Sequence, residues 1–270
     1  MMRRRSIGPR GRRWQELRAK RGRSIFLLPS LLTTGNLFCG FLAMILTAEH
    51  RYDHAALAIF MAIVMDMLDG RIARLMKATS QFGVEFDSLA DVVSFCVAPA
   101  FLLYTFALSR LGRPSWLGAF LFVICGALRL ARFNVHTGTG DRRFFIGLPT
   151  PAAAGLAAAT VLLFASEPLA RWGLVAISAA TYLVALLMVS TVRYWSFKEV
   201  EFAQRRPLQA LLIVVLAVMI VATHHEIFLF TLFSIYVLSG PVRRLMVGRA
   251  EAPATAEADR KDSKGVSHNA

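Results

Sequence analysis

The sequence predicts an all-α integral membrane protein with about eight transmembrane helices. Of its 270 residues, 56% are hydrophobic, whereas about 45–50% is usual in soluble domains. Apolar runs recur along most of the chain, and a membrane-spanning helix needs about 20 mostly apolar residues. Lysine and arginine residues are concentrated in alternate connections between those runs. This pattern is typical of a chain that crosses a membrane repeatedly.

Eight apolar runs mark the predicted spans in chain order. Several are shorter than a full span, but each extends through flanking amphipathic turns. The second and third are the least regular because aspartates lie inside or beside them. The runs are 25–47, 55–65, 92–108, 116–128, 151–165, 173–192, 208–222 and 227–238.

The distribution of positive charge predicts the orientation of these spans. With the N-terminus inside, all but four of the 31 lysine and arginine residues lie on the inner side, so both ends are expected in the cytoplasm. We therefore predict a basic cytoplasmic segment over 1–24, a membrane domain over 25–247 and a disordered cytoplasmic tail over 248–270. The four exceptions are Arg51, Arg110, Arg113 and Arg171.

The formal net charge of +14 does not indicate a nucleic-acid partner. No base-reading module with interleaved aromatic residues accompanies the basic segments, and the N-terminal segment could instead rest on anionic lipid head groups. The three cysteines lie inside apolar runs without paired spacing, so we interpret them as packing residues.

Four aspartates lie at the predicted cytoplasmic end of the second and third spans. Asp66 and Asp69 are three residues apart, and Asp87 and Asp91 are four residues apart. Each spacing puts both carboxylates on one face of a helix. Since a short loop joins the two helices, we expect the four acids around one cavity that faces the cytoplasm. Carboxylates in membrane helices are costly and usually functional.

The residue types around this cavity indicate metal and phosphate chemistry. Ligands that are all carboxylates favour hard cations such as Mg²⁺, Mn²⁺ or Ca²⁺, and two such ions can clamp a phosphoryl group. Gly70 and Ala73 would let a bulky ligand approach the helix, and the Arg74 guanidinium suits phosphate oxygens. A cation or proton pathway, as in transporters, is an equally good interpretation of the spacing alone.

The pattern Asp66-x2-Asp69-Gly70-x2-Ala73-Arg74-x8-Gly83-x3-Asp87-x3-Asp91 resembles the complete motif of the CDP-alcohol phosphotransferases. Enzymes of that family move a phosphatidyl or similar group from a CDP-linked donor to an alcohol. Eight fixed positions over 26 residues match without departure, which favours an enzyme over a transporter. Segments 28–43, 125–135, 145–155 and 188–198 also resemble the bacterial phosphatidylserine synthases of this family, so the resemblance covers roughly 25–245.

The resemblance implies a substrate pair, a location and a reaction. CDP-diacylglycerol would be the donor and L-serine the acceptor, in the bacterial inner membrane with the active site on the cytoplasmic side. Glycerol 3-phosphate or choline are the alternative acceptors. A direct displacement is expected, because the sequence contains no His-x-Lys pattern that would support a covalent intermediate.

The resemblance also implies site residues. Two divalent ions, Mg²⁺ or Mn²⁺, would be held by Asp66, Asp69, Asp87 and Asp91, with Asp91 as the general base. Polar side chains in membrane helices commonly bond across helices, so Thr33 and Asn36 on the first span are also candidates. Residues expected to bind CDP-diacylglycerol are Asn36, Gly70, Ala73, Arg74, Ser80 and Gly83.

The acceptor site is predicted at the cytoplasmic end of the fourth span. Serine carries a carboxylate, for which arginine is a favoured partner, and Arg129, Arg132 and Asn134 are the candidates. Arg193 and Lys198 are equally well explained as interfacial anchors. The Ala-rich stretch 152–160 indicates close helix packing, which could include a homodimer interface.

Overall fold

The computed structural model describes residues 30–75, 81–112, 115–136, 144–165, 168–195 and 224–244. Within these ranges the prediction of an all-α membrane protein is confirmed. The seven helices are α1 (Ser30–Ala48), α2 (Tyr52–Leu75), α3 (Gln81–Phe106), α4 (Trp116–His136), α5 (Thr150–Phe164), α6 (Arg171–Val189) and α7 (His224–Arg244).

Five of these helices are long and apolar enough to cross a membrane, namely α1, α3, α4, α6 and α7. Helix α2 has 24 residues but carries aspartates and arginines in its second half, and the apolar helix α5 has 15 residues. The described helices correspond to seven of the eight predicted spans. The run 208–222, the basic segment 1–24 and the tail 248–270 lie outside the described residues, so the total of eight stays a prediction.

Helix α3 changes its winding immediately after Asp91. Residues Val92–Val97 are π-helical, and Ser94 and Cys96 within them are buried. Both contact glycines of neighbouring helices: a Cβ added at Gly40 of α1 would lie 2.7 Å from Ser94 Cα, and one added at Gly126 of α4 would lie 2.5 Å from Cys96 Sγ. The absence of a side chain on each glycine therefore lets α3 pack tightly between α1 and α4.

A two-stranded antiparallel sheet joins the segment before α5 to the segment after α6. Strand β1 (Phe144–Ile146) pairs antiparallel with strand β2 (Arg193–Trp195). Gly147 follows β1 with a positive φ of 82°, which a residue with a side chain rarely adopts. Its amide donates to the Val192 carbonyl at 2.8 Å, and the Leu148 amide donates to the Leu187 carbonyl at 3.1 Å. The start of α5 is thereby fixed against the end of α6.

Alanines and aromatic residues fill the interior of the bundle. The predicted close packing of the Ala-rich stretch is confirmed, because Ala152–Ala154 and Ala157–Ala159 of α5 are buried within this chain. Tyr194 is fully buried and its hydroxyl donates to the Val237 carbonyl at 3.1 Å. Burial, together with the nearby Tyr236, raises the pKa of Tyr194 to about 12, so its hydroxyl stays protonated as a donor.

Candidate active site

Three of the predicted carboxylates converge where α2 meets α3. Asp66 and Asp69 come from α2 and Asp87 from α3, and one carboxylate oxygen of each lies within 4.8 Å of the others. Asp69 is buried, and Asp66 and Asp87 are half-buried. The expectation that the acidic faces of the two helices meet is confirmed for these three residues, which we call the carboxylate cluster.

Helix α1 supplies a hydrogen bond to this cluster. The hydroxyl of Thr33, which is buried, donates to Asp69 Oδ2 at 3.1 Å. A hydroxyl donor can orient a carboxylate without neutralising its charge, so the remaining oxygen stays an acceptor or ligand.

Asp91 lies beside the carboxylate cluster but is not one of its three members. It is close enough to Asp66, Asp69 and Asp87 to interact with them electrostatically. Its Oδ1 accepts a hydrogen bond of 3.2 Å from Nδ2 of Asn36, which is fully buried. Asp91 therefore differs from the three acids of the carboxylate cluster in having the Asn36 amide as a hydrogen-bond partner. This difference suits a separate chemical role for Asp91.

A second hydrogen bond from α3 fixes the backbone of Asn36. The Ser94 hydroxyl, from the π-helical segment of α3, donates to the Asn36 carbonyl at 3.0 Å. The Oδ1 atom of Asn36 is buried and has no hydrogen-bond partner in the described part of the chain. Since buried polar atoms are nearly always paired, this oxygen is free to accept a hydrogen bond from a bound molecule.

The carboxylate cluster fits a hard divalent cation. Three carboxylates within 4.8 Å repel one another unless positive charge lies between them. Asp87 Oδ1 is buried without a hydrogen-bond partner among the described residues, as expected of a metal ligand. The residues that could ligate an ion at this place are all carboxylates, the donor set that Mg²⁺ and Mn²⁺ prefer.

The predicted donor-binding residues are described in part. Gly70 follows Asp69 on α2, and Gly83 lies one helical turn before Asp87 on α3; both are half-buried. Ser80 and the side chains of Ala73 and Arg74 lie outside the described residues.

The predicted acceptor residues lie along α4. Arg129 is buried, and its Nη1 donates to Thr150 Oγ1 at 3.3 Å. Arg132 donates through Nη1 to the Val189 carbonyl at 3.3 Å, at the end of α6. Arg129 is close enough to Asp91 for an electrostatic interaction. The structure therefore places the buried Arg129 within electrostatic reach of Asp91, whereas Arg132 contacts the end of α6.

Asn134 contacts the helix that carries two of the aspartates. Its Nδ2 donates at 2.8 Å to the hydroxyl of Ser88, which lies between Asp87 and Asp91 on α3. The contact links the first part of α3 to the last turn of α4. The side chain of Arg193 and all of Lys198 lie outside the described residues.

Three hydroxyl residues of this site were not predicted. Thr150 could have been found, because it lies in the segment 145–155 that carries part of the family resemblance. Ser88 and Ser94 had no comparable signal: serines are common in membrane helices, and their partners are 46 and 58 residues away in sequence.

Comparisons with known proteins match the same region. The family model for CDP-alcohol phosphatidyltransferase matches residues 26–186. A protein of Helicobacter pylori (strain 26695) is 40% identical over 179 residues, covering 66% of this chain and 76% of that protein. One of Bacillus subtilis is 38% identical over 172 residues (64% and 92%), and one of Methanocaldococcus jannaschii 39% over 172 residues (64% and 75%). All three are named CDP-diacylglycerol–serine O-phosphatidyltransferase.

Proposed function

Because this chain belongs to the CDP-alcohol phosphatidyltransferase family, we propose that it transfers the phosphatidyl group of CDP-diacylglycerol to the hydroxyl of L-serine. The products are phosphatidylserine and CMP. The observation that carries this proposal is the shared name of relatives about 40% identical from three distant organisms. The carboxylate cluster supports it, because it supplies the chemistry that such a transfer needs.

Asp66, Asp69 and Asp87 are the residues that would hold Mg²⁺ or Mn²⁺, with Asp91 as a further ligand if two ions bind. When bound, such ions neutralise the diphosphate and its developing negative charge. Thr33 orients Asp69 from outside the cluster. Partners of this kind typically change metal affinity by about 10–100-fold.

Asp91 is the proposed general base. The serine hydroxyl is a weak acid, so a positioned carboxylate that accepts its proton speeds its attack. The serine oxygen forms a bond to the phosphorus that carries the diacylglycerol, and the bond from that phosphorus to the CMP oxygen breaks. Asn36 holds one oxygen of Asp91 by its amide, which leaves the second oxygen of that carboxylate to take the proton.

The donor would lie across α1, α2 and α3. Gly70 and Gly83 present no side chain near the carboxylate cluster, and the unpartnered Oδ1 of Asn36 can accept a hydrogen bond from the nucleotide. Ala73, Arg74 and Ser80 are assigned to the donor by the family motif. Arg129, Arg132 and Asn134 of α4 are assigned to the acceptor. Arg129 interacts electrostatically with Asp91, and Asn134 contacts Ser88 on the helix that carries Asp91.

We further propose that the protein lies in the inner membrane of a bacterium with this site open to the cytoplasm, where CMP and serine are soluble. It would act as a homodimer. The dimer interface would lie on helices other than α5, since α5 buries its Ala-rich face within one chain. Mass measurement of the purified protein in detergent tests the dimer.

The enzymatic test uses purified full-length protein in detergent with CDP-diacylglycerol, Mg²⁺ or Mn²⁺, and one alcohol at a time. CMP release is measured and the lipid product is identified by its mass. We expect phosphatidylserine with L-serine, and its loss in Asp91→Asn. Asp53→Asn is the matched control, because Asp53 lies exposed at the other end of α2 and contacts His54.

Three outcomes separate the hypotheses. Phosphatidylserine formed by the wild type and by Asp53→Asn, but not by Asp91→Asn, supports both the reaction and the base. Product formed with glycerol 3-phosphate or choline, but not with serine, would support the transfer reaction and refute the assignment of serine as the acceptor. Folded protein that releases no CMP with any alcohol, yet carries ions across liposome membranes, would establish the transporter alternative.

A further inference from the structure

Arg129 is a buried cation that forms no ion pair in the described part of the chain. The residue is 8% exposed, and its Nε is buried without a hydrogen-bond partner among the described residues. The one described hydrogen bond of the guanidinium runs from Nη1 to Thr150 Oγ1 at 3.3 Å. Asp91 is within electrostatic reach of Arg129 but forms no ion pair with it in the described part of the chain, and a buried charge that is not directly paired is costly. The Nε edge is therefore suited to binding an anion that the protein itself does not supply.

Thr150 is held firmly enough to orient that guanidinium. It is fully buried and is the first residue of α5, directly after Pro149. The loop before it is fixed by the backbone hydrogen bonds of Gly147 and Leu148 to the end of α6. The N-terminal end of α5 carries a partial positive charge. Two positive groups therefore lie side by side, which strengthens the case for a bound anion.

The neighbours of Arg129 indicate which substrate carries that anion. Arg129 is within electrostatic reach of Asp91, the proposed base, and of Tyr236 on α7. The diphosphate of the donor belongs at the carboxylate cluster, where the metal ligands are. Serine has a carboxylate two carbons from the hydroxyl that must reach Asp91, so the acceptor can present one group to Asp91 and the other to Arg129.

We propose that Thr150 is a positioning residue, which holds Arg129 by Nη1 so that its Nε edge binds the carboxylate of the acceptor. The subsite lies between α4 and the start of α5 and is bordered by Tyr236. This inference rests on the proposed function. It identifies Arg129 as the residue that recognises the acceptor and Thr150 as the residue that positions Arg129.

The test compares Thr150→Val, which keeps the shape and removes the hydroxyl, with Thr150→Ser, which keeps the hydroxyl. Thr181→Val is the matched control, because the Thr181 hydroxyl is also buried but bonds within its own helix to the Ile177 carbonyl. The rate of CMP release is measured as the serine concentration is varied and, in a second series, as the CDP-diacylglycerol concentration is varied. Both series are run at a temperature below the unfolding transition of every variant.

We expect Thr150→Val to raise the KM for serine about tenfold or more, since a hydrogen bond to a charged group is lost. The KM for CDP-diacylglycerol should not change. Thr150→Ser should restore the KM for serine, and Thr181→Val should behave as the wild type. A rise in both KM values in Thr150→Val, or no recovery in Thr150→Ser, would mean that Thr150 has a general structural role and would overturn the proposal.

An acceptor without a carboxylate gives a second, independent measurement. The wild type should use L-serine far better than ethanolamine, and Thr150→Val should reduce that preference about tenfold. An unchanged preference would overturn the proposal, and so would faster use of glycerol 3-phosphate than of serine by the wild type, since the guanidinium would then bind a phosphate. If the wild type makes no phosphatidylserine, the proposed function is refuted. If the wild type makes phosphatidylserine and Thr150→Val has the same KM for serine as the wild type, only this inference is refuted.

Discussion

Gly40→Ala tests whether close packing of α1 against α3 positions the site. A methyl group at residue 40 would lie 2.7 Å from Ser94 Cα. Because that atom belongs to the backbone of α3, no change of rotamer can relieve the clash, and the two helices must separate. The separation needed to reach ordinary contact, near 3.4 Å, is about 0.7 Å.

The consequences follow from the hydrogen bonds at this crossing. The Ser94 hydroxyl donates to the Asn36 carbonyl at 3.0 Å, and a shift of about 0.7 Å would stretch it past the limit of a hydrogen bond. Overpacking and the lost bond together cost about 2–5 kcal/mol, against which alanine gains about 1 kcal/mol in helix propensity. Asn36 would move relative to Asp91, and misplacement on this scale can lower the rate about 10–100-fold.

The assay measures thermal unfolding of the purified protein in detergent and, below the transition, the rate of CMP release. We expect the apparent unfolding temperature of Gly40→Ala to fall by roughly 3–12 °C. Gly35→Ala is the matched control on the same helix, because its methyl group would lie 3.7 Å from Met65 Sδ, an ordinary contact. A Gly40→Ala variant with the stability and turnover of Gly35→Ala would refute the packing argument.

Three further predictions concern the metal, the hydroxyl beside it and the last helix. Chelation of divalent ions should abolish CMP release, and Mn²⁺ or Mg²⁺, but not Na⁺, should restore it; activity that survives exhaustive chelation would contradict the metal role. Thr33→Val removes the hydrogen bond to Asp69 and should raise the Mn²⁺ concentration for half-activation about tenfold. Thr34→Val should not, since the Thr34 hydroxyl bonds within its own helix. Tyr194→Phe leaves a buried carbonyl of α7 unpaired and should cost about 1–3 kcal/mol of unfolding free energy, whereas Tyr182→Phe, which loses no described hydrogen bond, should be neutral.

The sequence predicted the helices and the meeting of the acids for one reason, which is that both follow from local periodicity. Apolar runs determine the spans, and spacings of three and four residues put Asp66 with Asp69 and Asp87 with Asp91. A short connection then requires the two faces to approach each other. The convergence within 4.8 Å of three of these carboxylates needed no further information.

The contacts that hold the site could not be predicted in the same way, because they depend on how distant helices cross. The bond from Asn36 to Asp91 joins residues 55 apart in sequence, and that from Arg129 to Thr150 joins residues 21 apart. Neither separation in sequence corresponds to a helical or strand repeat, so it does not indicate that the two residues are in contact. The antiparallel pair of β1 and β2 was also missed, since three-residue strands have too few positions to show an alternating pattern.

The contacts made just after Asp91 distinguish this residue from the other three acids. Ser94 and Cys96 are two residues apart and lie on nearly opposite faces of α3, so that one contacts α1 and the other contacts α4. The helix is thereby held on two sides immediately after Asp91, and π-helical turns are frequent at functional sites. Asp91 directly precedes this doubly contacted segment and also accepts a hydrogen bond from the buried Asn36. A general base must lie within hydrogen-bond reach of the proton that it accepts, so a position fixed from two sides and by Asn36 suits the role proposed for Asp91.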